Sequence, residues 1–295
     1  TGFGNELAIR LDKLGFHVLA SCLDPKCEGA TSLIKLCSKR LFVIGLDVSR
    51  DECVTEAHTE VTNKLKSSKA ELWAVVNNAG IDYVADIELC SMEVYRKVAE
   101  VNLFGMIRVT KAFLPILRRT KGRVINVTSV KGRVCLPYIS AYGITKYGGE
   151  NFSDILRMEM KKFGVKVVIV EPGNFGRLTA IVKGKNLDRI RKDFDRTWSG
   201  ATQDIKDTYG REYMFAHVDR LEGNDEEGSD RNVVPVTDAF VDAIMNENPN
   251  TRYLIDGSPD WIDRYCVSIY ERKEGISNQT RQSTKPQSRQ AQQET

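Results

Sequence analysis

Tyr142 and Lys146 stand four residues apart, and Ser129 lies thirteen residues before the tyrosine. On a helix, side chains at i and i+4 share one face, a turn from each other. A free phenol, with a pKa of ~10, is a poor acid or base at neutral pH. A neighbouring ammonium favours the phenolate and lowers that value toward working pH. A serine hydroxyl from a nearby strand end can then hold the oxygen of an alcohol being oxidised or a carbonyl being reduced. Helices bring tyrosine and lysine together by chance as well, so the surrounding motifs decide the reading.

Those motifs recur after apolar runs. Asp47 and Val48 follow one, Asn77-Asn78-Ala79-Gly80 a second, Ser129 a third and Pro172-Gly173 a fourth; Asn102 sits in Val101-Asn102-Leu103-Phe104-Gly105. At the start, Gly2-Phe3-Gly4 reads as the end of a glycine-rich turn entering a helix. Glycines there let a dinucleotide pyrophosphate approach backbone N–H groups at the helix's positive end. Each feature has a plainer alternative. Gly2 and Gly4 can be a helix cap, Asp47 a helix cap, Asn77 a strand-end cap and Pro172 a strand terminator.

The elements that must position these residues alternate along the chain. Apolar, β-branched runs predict strands at 17–23, 41–46, 72–76, 122–128, 165–170 and 251–255. Amphipathic stretches predict helices at 6–14, 52–66, 92–119 and 141–163. Such alternation implies an α/β fold, a doubly wound parallel sheet of Rossmann type with helices on both faces. Every motif then falls on the carboxyl edge of that sheet, where open α/β folds bind ligands. Residues 1–275 read as a single domain. Within it, 177–232 breaks the rhythm, rich in charge and aromatics and ending in an acidic loop at 222–230. The Gln/Ser/Thr/Arg-rich stretch 276–295 has little to bury and is expected to be disordered.

Bulk properties narrow the partners. The 43 basic and 40 acidic residues nearly cancel, which gives no support for nucleic acid. Seven cysteines form no C-x-x-C pair, and His17, His58 and His217 are scattered. Reduced thiols in an intracellular setting and no metal site are expected. No apolar run reaches the ~20 residues that span a bilayer. The chain opens on Thr1 with its first motif cut in half, so a truncated amino terminus is expected, with the first strand missing. Any import signal or membrane-associating segment would lie in that missing part.

Taken in order, Gly2, Gly4, Asn77 to Gly80, Asn102, Ser129, Tyr142, Lys146, Pro172 and Gly173 make the chain resemble the short-chain dehydrogenase/reductase family over about residues 1–260. The family's turn is T-G-x-x-x-G-x-G, of which Gly2 and Gly4 match the last two glycines. The resemblance implies a nicotinamide cofactor and a small-molecule alcohol or ketone substrate. It implies Tyr142 as general acid/base, Lys146 lowering its pKa and bonding the nicotinamide ribose, and Ser129 polarising the substrate oxygen. Asn102 would hold the water of a proton relay. Gly2, Phe3 and Gly4, Asp47 and Val48, Asn78, Ala79 and Gly80, with Pro172 and Gly173, would line the cofactor, Asp47 at adenine and Pro172-Gly173 at nicotinamide. The resemblance also implies a homo-oligomer, built on the 92–119 and 141–163 helices, to which Gly148-Gly149 would give close approach either between subunits or within one.

Cofactor type and substrate are less sharply written. Relatives using NAD commonly end the second strand with an acid; here Cys22 stands there, with Asp24 and Lys26 close by. NAD is expected over NADP, since Asp24 repels an added phosphate. The wording of 99–105, 113–119, 170–175, 207–213 and 251–253 resembles the branch holding mitochondrial-type D-β-hydroxybutyrate dehydrogenase and the retinol and hydroxysteroid dehydrogenases. That branch implies a mitochondrial or endoplasmic-reticulum setting. A short 3-hydroxy acid is the leading substrate, a retinoid or steroid the second, and a silent cofactor-binding scaffold the third reading. Lys183, Lys185, Arg189, Arg191, Lys192 and Arg196 either receive a carboxylate or make a solvated face. Phe194, Trp198, Tyr209, Tyr213, Met214 and Phe215 either wall an apolar pocket or pack a core.

Overall fold

A computed structural model describes residues 2–176, 178–179, 181–223 and 232–255. The polar stretch 276–295 and all but the start of the acidic loop 222–230 lie outside them. Six strands run in parallel: β1 (Val18–Cys22), β2 (Leu41–Gly45), β3 (Ala74–Asn77), β4 (Arg123–Val127), β5 (Lys166–Pro172) and β6 (Arg252–Ile255). All six sequence-predicted strands are present. Their hydrogen bonds form two ladders among the described residues, β1-β2 and β3-β4-β5-β6. Among the described residues no ladder joins β1 to β3, and packing by the flanking helices serves both ladders.

That packing comes from helices on both faces. On one face α1 (Gly2–Lys13) lies against β1 and against α10 (Val234–Met245), and Leu7, Phe3 and Leu11 pack with Ile125, Val127, Val168 and Phe240. On the other, α3 (Asp51–Ser68) and α5 (Gly105–Thr120) bring Val54, Ala57, Val109 and Phe113 together with Ile44 of β2 and Val75 of β3. The short α2 (Glu28–Leu36), which periodicity did not reveal, covers β2 through Leu33. Strand β4 is buried along its whole length, the pattern of a central parallel strand.

Two further features fix the carboxyl edge. The helix predicted at 92–119 is α4 (Met92–Ala99) and α5 with a π-turn, Glu100–Phe104, between them. Such wide turns insert an extra residue into a helix and concentrate at functional sites. Beneath the edge runs a buried polar chain. Asn77 Nδ2 donates to Thr110 Oγ1 (2.9 Å) and Asn126 Oδ1 (2.8 Å), Asn126 Nδ2 to Ser153 Oγ (2.8 Å), and Ser153 Oγ to Gly149 O (2.6 Å). Asn77 therefore ties β3 and β4 to α5 and α6 (Ser140–Met160) rather than capping a strand.

The stretch after β5 is helical where the sequence left it unassigned: α7 (Lys185–Gly200), α8 (Gln203–Tyr209) and α9 (Arg211–Gly223). With α4 they enclose a separate core of Tyr83, Leu89, Val98, Ile190, Phe194 and Met214.

Candidate active site

The tyrosine and lysine lie on α6, whose first turn is entered through Tyr138, at a φ of +71°, and Ile139, which bridges to Ala85. Both are buried, Tyr142 at 7% and Lys146 at 4% exposure, so the i, i+4 face points inward. Lys146 Nζ sits 5.3 Å from the Tyr142 ring centroid and donates to Val127 O at 3.0 Å. Ser129 lies two residues past the end of β4 and is 4% exposed. Its hydroxyl donates to Pro172 O (3.1 Å), accepts from the Lys131 N–H (3.2 Å) and faces the Tyr142 phenol. The two oxygens share one side of the edge.

Electrostatics differ from the sequence expectation in one respect. Burial is the largest influence on Tyr142 and raises its pKa, the Asp82 carboxylate raises it further, and the Ser129 hydroxyl lowers it. Burial likewise pulls Lys146 down to about 8, while the carboxylates of Asp82 and Glu150 favour its charged form. Desolvation of the phenol thus sets the direction of its shift, although the Lys146 ammonium lies 5.3 Å from its ring.

Asn102 lies in the π-turn and is 1% exposed. Its amide clamps Ile81, accepting from the N–H at 2.8 Å and donating to the C=O at 2.9 Å, and reaches Thr145 Oγ1 at 3.2 Å. It therefore locks the loop after β3 onto α6. Gly80 is in the same knot: a Cβ there would meet Asn102 Oδ1 at 3.5 Å and Lys146 Nζ at 3.8 Å. A side chain beyond that Cβ would occupy the space above the lysine.

The start of α1 joins this wall. A Cβ on Gly4 would stand 3.0 Å from Asn78 Nδ2, and the Phe3 ring meets Phe175, just beyond Pro172 and Gly173, edge-on at 5.6 Å. Gly2, Phe3, Gly4, Asn78, Gly80, Asn102, Ser129, Tyr142, Lys146 and Pro172 thus form one connected set of neighbours. Val48 stands beside Gly105, at the end of the π-turn that carries Asn102. Val48 packs so closely on Gly105 that a Cβ there would approach it to 2.7 Å, and Asp47 Oδ1 is occupied by the Ser49 N–H (2.9 Å) and hydroxyl (2.6 Å). Glycine backbone at a helix N-terminus, small residues beside a buried lysine, and an amide-rich floor suit a dinucleotide. Among the described residues no His/Cys/Asp/Glu group could hold a metal ion.

The substrate-side segment separates residues that the sequence left undivided. Phe194 and Met214 are fully buried in the α7–α9 core, with Trp198, Tyr209 and Phe215 packed against it. Lys183, Lys185, Lys192 and Arg196 face solvent. Arg189 turns inward instead, donating to Asp82 O at 3.0 Å and to Asp193 Oδ2 at 3.3 Å. Asp82 and Lys131 were not singled out from sequence, although each stands two residues beyond a motif, Gly80 and Ser129 respectively.

Residues 1–189 match the family model described as short chain dehydrogenase. The chain is 43% identical over 255 residues to the mitochondrial D-beta-hydroxybutyrate dehydrogenase of Bos taurus, covering 86% of this chain and 73% of that protein. It is as similar to estradiol 17-beta-dehydrogenase 2 of Mus musculus, 43% over 256 residues, covering 86% of this chain and 65% of that protein. A solved short-chain dehydrogenase from Streptomyces avermitilis aligns with a TM-score of 0.69 over 96% of this chain and 95% of that one; at 24% identity this likeness speaks for the fold alone.

Proposed function

The chain belongs to the short-chain dehydrogenase/reductase family and is an oxidoreductase, and on that premise we propose that it oxidises a short 3-hydroxy acid of the 3-hydroxybutyrate type with NAD. The observation that carries this reading is the convergence of Ser129, Tyr142 and Lys146 on one side of the carboxyl edge. Bound NAD supplies the hydride acceptor. The chain's own part is to align the alcohol and move one proton. Ser129 Oγ–H bonds the substrate oxygen, Tyr142 Oη takes the hydroxyl proton, and the Lys146 ammonium stabilises the phenolate that precedes that transfer. In the reverse direction the same phenol donates. Asn102 holds the Ile81 loop against α6, so that Gly80 stays clear of Lys146.

The acid substrate is supported by Lys131, whose ammonium lies 5.3 Å from the Tyr142 ring and is 27% exposed, a cation that favours an anionic ligand. NAD is supported by Asp24 beyond β1, whose carboxylate accepts the Lys26 N–H at 2.9 Å and disfavours an added phosphate. A second reading, the same chemistry on a steroid or retinoid, has in its favour the equal identity to the estradiol enzyme. Steady-state assays separate the two. Turnover of D-3-hydroxybutyrate at least tenfold better with NAD than with NADP is expected; activity confined to estradiol or retinol would remove the acid substrate.

The proposed function includes a homo-oligomer. Helix α6 exposes Ile144, Tyr147, Ile155 and Met158, four apolar residues spaced along one helix. Gly148 and Gly149 do not belong to that surface. Cβ atoms there would meet Leu103 at 2.9 Å and Met106 at 3.5 Å, so the pair serves packing inside one subunit. Ile155→Glu with Met158→Glu is expected to shift the protein to a smaller species in sedimentation velocity. An unchanged sedimentation coefficient would exclude this face. The mitochondrial or endoplasmic-reticulum setting remains part of the proposal, and cell fractionation tests it. Among the described residues no helix is long and apolar enough to cross a membrane.

A further inference from the structure

The mechanism uses one ammonium beside Tyr142, yet two are there. Lys131 Nζ lies 5.3 Å from the ring centroid, the same distance as Lys146 Nζ. It comes from a different element, the 3-10 turn Val130–Gly132 that follows Ser129. Its counter-charge is Asp82, 3.8 Å from the ammonium, on the loop after β3. Asp82 is held in place from both sides. Its Oδ1 accepts the Tyr83 N–H at 2.8 Å, and its carbonyl accepts from Arg189 at 3.0 Å. A carboxylate only 8% exposed and 3.8 Å from an ammonium is not a surface ion pair whose field water cancels.

From this geometry we propose that Asp82 and Lys131 are positioning residues for the reaction, a charge pair beside the Tyr142 ring that, together with Lys146, governs when the phenol gives up its proton. The proposal rests on Tyr142 being the acid/base of the proposed function. Lys131 acts as a second cation on the phenol, within the ~6 Å at which a cation feels an aromatic ring, and favours phenolate. Asp82 opposes it and anchors it there. The charged groups around Tyr142 and Lys146 come from several elements: Lys146 and Glu150 from α6, Lys131 from the 3-10 turn, Asp82 from the β3 loop and, bonded to Asp82, Arg189 from α7. Asp82 raises the pKa of Tyr142 and favours charged Lys146, whereas Lys131 disfavours charged Lys146. The balance between the pair therefore reaches both members of the tyrosine–lysine couple.

The arrangement also connects proton release to substrate binding. The Lys131 N–H holds the Ser129 hydroxyl, and its ammonium is partly exposed. A substrate carboxylate drawn to Lys131 would share that cation with Asp82, so the charge of the ligand enters the phenol's surroundings directly.

The test is the pH dependence of kcat for alcohol oxidation in the full chain with NAD, for the native protein, Lys131→Met, Lys131→Arg and Asp82→Asn. Alongside it, the Tyr142 phenolate is titrated by ultraviolet absorbance, as the difference from Tyr142→Phe. Removing one charge at this range is expected to move the acid limb by ~1 pH unit. The limb and the titration should move up in Lys131→Met and down in Asp82→Asn, and stay near native in Lys131→Arg. Limbs and titrations that do not move, or that move the same way in Lys131→Met and Asp82→Asn, overturn the proposal, because lost packing lowers kcat without shifting ionisation in opposite directions. Lys131 is partly exposed on a turn and decides the matter alone if Asp82→Asn does not fold. Should no alcohol be turned over by the native chain, the proposed function fails, and the absorbance titration still reads the charge pair by itself.

Discussion

Tyr142→Phe is expected to lower turnover at least a hundredfold with little change in stability or cofactor affinity. The substitution keeps the buried ring, its packing and its cations 5.3 Å away, and deletes only the oxygen that faces Ser129. A positioned general acid/base contributes ~10²–10⁴-fold, and a hundredfold loss corresponds to about 2.7 kcal/mol of barrier. The expected signature is a fall in kcat with a melting temperature near native and an NAD dissociation constant, from fluorescence titration, within about twofold of native. Near-normal kcat in this variant would end the mechanism.

Arg252→Met is expected to give the largest loss of stability. Arg252 begins β6 and joins three carboxylates, Glu171 at 2.8 Å together with Glu150 and Asp154. Glu171 is fully buried in β5, one residue before Pro172, and Glu150 is one turn of α6 beyond Lys146. The other cation near Glu171 is Arg133, at 3.6 Å and more than half exposed. Removing one partner from a buried ion pair typically costs ~3–5 kcal/mol, because it leaves uncompensated charge. Burial and the Glu150 charge already raise the Glu171 pKa, against Arg133 and Arg252, which lower it. Without Arg252 it rises further. A carboxyl whose folded pKa lies above its unfolded value binds protons more tightly when folded, so the deficit is greatest above the folded value and shrinks as pH falls through it. Urea unfolding of the native and variant proteins should therefore differ most at pH 7 and converge toward pH 5. A gap independent of pH would mean that lost packing, not stranded charge, is responsible.

The chemistry was more legible in the sequence than the architecture around it. Ser129, Tyr142 and Lys146 stand out because proton transfer beside a hydride restricts the usable side chains, and strands such as β4 and β5 stand out because β-branched runs mark buried parallel strands. The α7–α9 region did not, since its apolar residues are interleaved with charge and pack a core of their own. Asp82, Lys131 and the Glu171–Arg252 pair were hidden for a different reason. Their partners lie on other elements, 81 residues apart for Glu171 and Arg252, and no local pattern records such a meeting. Asn102 was singled out in the sequence, but its hold on Ile81 depends on where the loop after β3 goes, which folding alone determines.

The wide turn at Glu100–Phe104 sets a limit on the length of this segment. One residue advances an α-helix by about 100°. Val94 and Val98 point into the α7–α9 core, while Val109 and Phe113 point into the core under β2 and β3. The extra residue is what lets a nearly continuous helix serve both cores and still present Asn102 inward. Removing a single amino acid from this stretch would swing one half against the other by that angle, exposing one apolar set or the other. Substitutions on the outer side, at Phe104 for example, leave the phase intact. The segment is thus tolerant of spelling changes and intolerant of indels.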